Sequence, residues 1–247
     1  MPSPHALDTP PALRLLDQEA PVALFLDFDG TLVELAGTPD SIVVPERLGD
    51  SLFGLSDRLG GRFALVSGRA IPDLERHIGS LRVARAGSHG IARELADGSV
   101  LGALAEALPS EAGAALRKFA KARGFLLEEK PHGAALHYRA APTLKEPGIA
   151  FAEELAREHA LELKRGKGLI ELVRPGVSKA GAVHAFMQVA PFKGAVPVFV
   201  GDDITDEDGF AAAAELGGFG ILVGDRRPTG ARYGLADPVA VHDWLEL

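Results

Sequence analysis

Three short stretches of this sequence are apolar at every position and then stop abruptly at polar residues: Val22 to Leu26 runs into Asp27, Phe63 to Val66 into Ser67, and Val196 to Val200 into Gly201-Asp202-Asp203. A strand with one solvated face alternates in polarity, whereas unbroken Val, Leu and Phe belong to a strand covered on both faces, as in a parallel sheet between helices. Helical periodicity falls where such crossovers need it, over Pro45 to Leu59, Ser178 to Val189 and Thr205 to Leu216. A further strand is expected at Gly220 to Val223 and a short last helix near His242 to Leu245. The pattern predicts a doubly wound α/β domain. Open parallel sheets bind ligands beyond the carboxyl ends of their strands, so Asp27, Asp29, Ser67, Asp202 and Asp203, distant in sequence, are expected to meet in one crevice.

The stretch from about Leu104 to Val173 follows a different rule. Glu111 to Arg123 and Ile149 to His159 carry small and apolar residues at helical spacing. Each is followed by two probable strands, Phe125 to Lys130 with Ala134 to Arg139, and Leu161 to Lys164 with Leu169 to Arg174. The turns between them, Pro131-His132-Gly133 and Arg165-Gly166-Lys167-Gly168, have hairpin chemistry. This α-β-β-α-β-β order predicts an inserted α+β cap at 104–175, with the catalytic core formed by 1–103 and 176–247. Strand alternation puts Leu136 and Tyr138 on one face and His137 with Arg139 on the other, and sets Glu171 opposite Ile170 and Leu172. The apolar faces are expected to pack on the two cap helices, and substrate choice to reside in the cap.

Asp27-Phe28-Asp29-Gly30-Thr31 carries the sharpest chemistry. Carboxylates two residues apart in extended chain face one side, and a glycine directly after them lets the backbone turn away. A carboxylate attacks phosphorus when a divalent cation and positive side chains withdraw charge from the phosphoryl oxygens. The expected nucleophile is Asp27, with Asp29 as acid and base. Magnesium takes oxygen ligands and keeps some waters, so Asp27, the carbonyl of Asp29, and Asp202 suffice to hold it. Ser67 is the expected hydroxyl donor and Lys179, opening a predicted helix, the cation at the phosphoryl oxygens. Asp203 and Asp206 are supporting acids; Asp203 or Thr205 also suits a helix cap, and Asp206 to Asp208 suit a helix dipole.

Asp27-x-Asp29-Gly-Thr, Ser67-Gly-Arg69, Lys179 and Gly201-Asp-Asp-x-Thr-Asp-Glu-Asp208 resemble, in order, the four motifs of the haloacid dehalogenase superfamily. Gly87-Ser-His-Gly90, Lys130 ahead of His137-Tyr-Arg139, and Glu171-Leu-Val-Arg-Pro175 narrow the resemblance to trehalose-6-phosphate phosphatases. It implies a Rossmann-like core, a C2-type cap, and hydrolysis of trehalose 6-phosphate with magnesium at Asp27, Asp29 and Asp202. It also implies that Lys130, His137, Arg139 and Glu171 hold the sugar. That family usually has glycine directly after the third-motif lysine, where this sequence has Ala180. Arg69, Lys167 and Arg174 are further candidate anion or sugar contacts. His89 is a candidate for a substrate or loop role, His132 is expected to face solvent, and His5, His77, His159, His184 and His242 to be surface or helix residues.

Composition limits the alternatives. A formal charge of −8 with no basic block interleaved with aromatics argues against a nucleic-acid groove. Charges or Gly and Pro interrupt every hydrophobic stretch short of a membrane span, and the first twenty residues do not read as a signal peptide. The absence of cysteine excludes disulfides and thiolate metal sites, and suits the cytoplasm. The expected partner is a small sugar phosphate, with a monomer the favoured state. Two other readings stay open: another sugar or polyol phosphatase, and a non-catalytic sensor or phospho-aspartate switch, against which Asp29 argues.

Overall fold

The computed structural model describes residues 7–36, 41–80, 82–102, 106–130, 132–166, 168–175 and 178–247. In chain order its elements are α1 (Leu13–Glu19), β1 (Val22–Leu26), α2 (Leu48–Arg58), β2 (Phe63–Val66), α3 (Ile71–Ile78), β3 (Ala84–Gly87), β4 (Ala92–Glu94), α4 (Ser110–Arg123), β5 (Leu126–Lys130), β6 (Gly133–His137), α5 (Lys145–His159), β7 (Glu162–Gly166), β8 (Leu169–Val173), α6 (Lys179–Met187), β9 (Val196–Gly201), α7 (Glu207–Glu215), β10 (Phe219–Val223), β11 (Tyr233–Leu235) and α8 (Pro238–Leu245). They form two compact units, Met1–Ala103 with Ser178–Leu247, and Leu104–Val177. No helix among the described residues is long and apolar enough to cross a membrane.

The first unit is built on a seven-stranded sheet of order β11-β10-β9-β1-β2-β3-β4, parallel except at the β4 edge. The three apolar runs are its centre, and alternate residues feed two cores. Leu24, Leu26, Leu65 and Val200 pack with α1, α2 and α8, while Phe25, Val66 and Phe199 pack with α6 and α7. Phe25, Phe186 and Phe192 cluster with ring centroids 5.1 to 6.2 Å apart. Two glycines let α7 come close to the sheet: a methyl on Gly209 would sit 2.6 Å from the Phe199 ring, and one on Gly220 2.5 Å from the Phe210 ring.

Some boundaries shift from expectation. The helix expected over Pro45 to Leu59 begins at Leu48, and Thr205 to Leu216 resolves into a 3-10 turn at Ile204–Asp206 followed by α7. The expected last helix near His242 starts earlier, at Pro238, where Asp237 caps it by accepting from the Ala240 N–H at 2.9 Å. The elements α1, α3, β3, β4 and β11 were not anticipated from the sequence.

The second unit follows the expected order α4-β5-β6-α5-β7-β8, with its antiparallel strands arranged β5-β6-β8-β7. Ala134, Leu136, Ile170 and Leu172 form its core with α4 and α5, and Phe119 stacks on Phe151 at 3.9 Å. Two expectations are corrected. The strand expected to reach Arg139 ends at His137, leaving Arg139 exposed in the following turn. His132, expected to face solvent, is instead buried, 1% exposed. Lys167, Pro131 and His5 lie outside the described residues.

Candidate active site

Strand register explains why distant residues converge. Leu26 pairs with Leu65 on one side and Val200 on the other, so Asp27, Ser67 and Asp202 leave neighbouring strands within about a residue of one level. The Asp27 N–H donates to the Val200 carbonyl at 2.9 Å, which extends the ladder to the functional side chain itself.

Around Asp27 the structure gathers three carboxylates and one ammonium. Asp27, Asp202 and Asp206 present oxygens within 4.8 Å of one another. Lys179 Nζ lies 2.8 Å from Asp27 Oδ1 and 2.6 Å from Asp206 Oδ1. Asp206 has no exposed surface, and its other oxygen accepts from the N–H groups of Asp202 and Asp203 at 3.1 and 2.9 Å. Asp203 and Asp206 close a capping box on the 3-10 turn. Gly201 is required because Asp206 folds back over it, and any Cβ there would overlap that carboxylate. Arg226 bonds Glu207 and reaches the carbonyls of Asp202 and Asp203, both at 3.4 Å, tying the same loop from the other end.

Burial pushes the Asp27 carboxyl well above the usual carboxylate range; Lys179 opposes the shift, and Asp206 and Asp202 add to it. Burial alone would lower the Lys179 pKa, but Asp206 and Asp27 outweigh it and hold the ammonium charged, above its ordinary value. Three carboxylates, two of them buried, against one ammonium leave this group short of positive charge, and the donors are all oxygen. That chemistry fits a hard divalent cation. Gly30, at φ +81°, adds to the fit: a methyl there would overlap the Asp202 carboxylate, so the glycine keeps that group beside the Asp27–Asp29 turn.

Asp29 does not join the carboxylate cluster. Both its oxygens accept from Arg69, Oδ2 from Nε and Oδ1 from Nη2, each at 2.7 Å, and Arg69 Nη1 donates to Asp73 at 2.8 Å. Burial works against the guanidinium charge, yet the bonds to Asp29 and Asp73 hold its pKa above the ordinary value. Ser67 is fully buried, and its Oγ accepts the Arg69 N–H at 3.1 Å, which leaves its own proton for donation. Lys179 opens α6, whose N-cap Ser178 accepts from the Gly181 N–H at 3.1 Å. Ala180 therefore sits in a regularly capped first turn, and Lys179 still reaches both carboxylates.

The Gly87–Gly90 loop stitches these pieces together. The Ser88 N–H donates to the Arg69 carbonyl at 2.7 Å and the His89 N–H to the Ser67 carbonyl at 2.9 Å. Ser88 and His89 adopt left-handed φ values of 54° and 57°, conformations that non-glycine residues pay for and that gather at functional sites. The His89 ring lies over Gly68, where a methyl would come within 2.8 Å of it.

In the second unit, the sheet face turned away from α4 and α5 carries Glu128, Lys130, His137, Lys164 and Glu171. Lys130 Nζ binds Glu171 Oε1 at 2.7 Å, with Glu171 only 1% exposed. His137 Nε2 lies 2.8 Å from Glu128 Oε2, a contact that holds the Glu128 carboxyl below its ordinary value. Arg174 donates to the Ala107 carbonyl at 3.1 Å. Sequence reasoning missed Glu128 and Asp73. Glu128 was recoverable from its place two residues before Lys130 on the same strand face, whereas Asp73 is identified only by the arginine it holds.

Comparison with known proteins follows the same lines. The family model described as Trehalose-phosphatase matches residues 25–238. A relative from Escherichia coli (strain K12), named trehalose-6-phosphate phosphatase, is 36% identical over 242 residues, covering 97% of this chain and 91% of the relative. The solved C-terminal domain of trehalose-6-phosphate phosphatase from C. albicans superposes with a TM-score of 0.79 at 22% identity, covering 98% of each chain. A phosphatase of the haloalkanoate superfamily from Bacteroides thetaiotaomicron superposes with a TM-score of 0.65 at 18% identity, covering 92% of this chain and 94% of the other. At those identities the two structural matches are likenesses of fold.

Proposed function

The chain belongs to the trehalose-phosphatase family, and from that premise we propose that it hydrolyses trehalose 6-phosphate to trehalose and phosphate through a phosphate carried on Asp27. The observation that supports this most is the cluster of Asp27, Asp202, Asp206 and Lys179, buried except for the half-buried Asp202, beyond the ends of β1 and β9.

In the proposed first step an Asp27 oxygen attacks phosphorus, the bond from phosphorus to the sugar oxygen breaks, and Asp29 protonates the departing oxygen. In the second, Asp29 takes a proton from water, the water oxygen attacks the phosphorus of the aspartyl-phosphate, and inorganic phosphate leaves with the Asp27 carboxylate restored. Both Asp29 oxygens accept from Arg69, so donation from Asp29 requires one of those bonds to open. Ser67 Oγ–H and Lys179 Nζ are assigned to the phosphoryl oxygens, where charge builds as the bond breaks. Asp206 and the capping box keep Lys179 and Asp202 aimed.

The residues assigned to hold magnesium are Asp27, Asp202 and, through its backbone carbonyl, Asp29, because the Asp29 carboxylate is already engaged by Arg69. When bound, the ion supplies the positive charge this carboxylate group lacks and withdraws electron density from the phosphoryl oxygens. Sugar recognition is assigned to the second unit, through Lys130, His137 and Glu171 with Arg139, and a direct contact from His89 is part of the same proposal. A wrong sugar that leaves Lys130 and the buried Glu171 badly matched would be rejected strongly. The cysteine-free composition supports action in the cytoplasm.

The deciding measurement is phosphate release from a panel of sugar phosphates, with and without a magnesium chelator. Trehalose 6-phosphate is expected to be the preferred substrate and chelation to abolish turnover; a clear preference for glucose 6-phosphate would sink the sugar assignment. Retained turnover in Asp27→Asn would sink the covalent step.

A further inference from the structure

We propose that Asp73 is a positioning residue for this hydrolysis: it anchors Arg69, and Arg69 sets the orientation of the Asp29 carboxylate. The inference rests on the assignment of Asp29 as acid and base, and extends it to a residue of α3 that lies outside the four motifs.

The geometry is a chain of fixed points. The Arg69 main chain is held at both ends, its N–H by Ser67 Oγ at 3.1 Å and its carbonyl by the Ser88 N–H at 2.7 Å. At the far end of the side chain, Nη1 donates to Asp73 Oδ2 at 2.8 Å, while the other Asp73 oxygen receives Arg76 Nη2 at 2.6 Å. Asp73 lies in the first turn of α3, where free N–H groups and the helix dipole favour a carboxylate. A guanidinium is planar and presents its donors as a rigid fork. With the backbone and Nη1 both fixed, Nε and Nη2 are left pointing at Asp29, and they bind its two oxygens at 2.7 Å each. An exposed pair four residues apart on a helix does little for a protein. This pair differs: the Arg69 side chain is 8% exposed, and every nitrogen of its head is committed to a carboxylate.

An acid that must reach a departing oxygen is sensitive to placement, and about 1 Å of error costs up to about a hundredfold in rate. Loss of Asp73 frees Nη1 and lets the Arg69–Asp29 pair swing as a unit. The effect should depend on the leaving group. A sugar alkoxide needs a proton as it departs, whereas p-nitrophenolate leaves without one.

The test compares kcat/KM for trehalose 6-phosphate with kcat/KM for p-nitrophenyl phosphate in the whole protein with magnesium. Asp73→Ala is expected to lower the ratio of the two about tenfold; Asp73→Asn, which keeps an oxygen for Nη1, restores part of the loss. Arg69→Lys, which offers no fork, lowers the ratio as well, and adding Asp73→Ala to it causes no further fall, since both changes break one chain. If Asp73→Ala proves unstable, Arg76→Ala loosens Asp73 without touching Arg69 and is expected to lower the same ratio by a smaller factor. Equal losses on both esters, losses that multiply in the double variant, or an unchanged ratio overturn the inference. Asp29→Asn separates this from the assignment beneath it. A ratio that falls in Asp29→Asn but not in Asp73→Ala defeats the positioning role alone. A ratio that does not fall in Asp29→Asn defeats the acid–base assignment and the inference with it.

Discussion

Asp206 divides its two oxygens between unlike tasks, one on the Lys179 ammonium and one on two backbone N–H groups. This arrangement concentrates negative charge beside Asp27 in a buried place, and the protein carries that as a cost to its stability. Burial raises the Asp27 pKa, so the folded state binds a proton there more tightly than the unfolded chain and loses stability as pH climbs past the unfolded value. Metal-free Asp27→Asn is therefore expected to melt above the metal-free parent at about pH 7, with the gap closing towards about pH 5; thermal melts in chelator at the two pH values check it, and a parent that melts higher at neutral pH would contradict it. Gly30 gives a second prediction. Alanine there meets both the left-handed φ and the Asp202 carboxylate, so Gly30→Ala is expected to cost about 1–2 kcal/mol in urea unfolding and, by moving Asp202, nearly all phosphate release.

Elements differ in how openly the sequence announces them. The strands β1, β2 and β9 were legible because unbroken apolar runs have few other uses, and their polar ends located Asp27, Ser67 and Asp202. By contrast, β3 has a charged residue at its second position. Arg85 is buried there because Glu75 and Glu94 meet it at 3.0 and 2.6 Å, partners that lie on α3 and β4. A strand whose core residue is an ion pair looks like a loop until its partners are known. The helix α3 has only eight residues and begins Ile71-Pro72, so its few apolar positions gave too short a period, although proline in the first turn is a start signal. Arg69, a candidate anion or sugar contact from the sequence, is held by Asp29 and by Asp73 of that helix, a link the sequence pattern does not show. At this scale the placement of α7, which follows Asp206 directly, depends on Gly209. The substitution Gly209→Ala is expected to cost about 1–3 kcal/mol by crowding Phe199 and to lower phosphate release by shifting the turn that holds Asp206. Denaturation midpoints and steady-state rates measure both, and unchanged values would mean that α7 has slack.

At the scale of the whole molecule the chain contains separate hydrophobic clusters, two flanking the seven-stranded sheet and one in the second unit. Their separation predicts that unfolding is not a single transition. Phe119, half-buried, packs against the second unit's cluster and stacks on Phe151, so Phe119→Ala is expected to remove about 1–3 kcal/mol from one denaturation step and leave the other in place. A shift of both steps together would show that the units unfold as one. Lys130 and Glu171, paired in this unit with Glu171 buried, were legible by motif; Glu128, which engages His137, was recoverable only from the alternation that puts it on the same strand face as Lys130.

The order of the strands also sets a timetable on the ribosome. Domains tend to fold as units while the chain emerges, and the second unit is one continuous segment whose four strands pair only with each other. The central strand β1 lies between β2 and β9, and β9 is translated after that whole segment. Asp27 thus leaves the exit tunnel ahead of the whole four-stranded segment, yet Lys179, Asp202 and Asp206 arrive only after that segment has been made. The acidic cluster therefore closes only after the inserted unit has been synthesised.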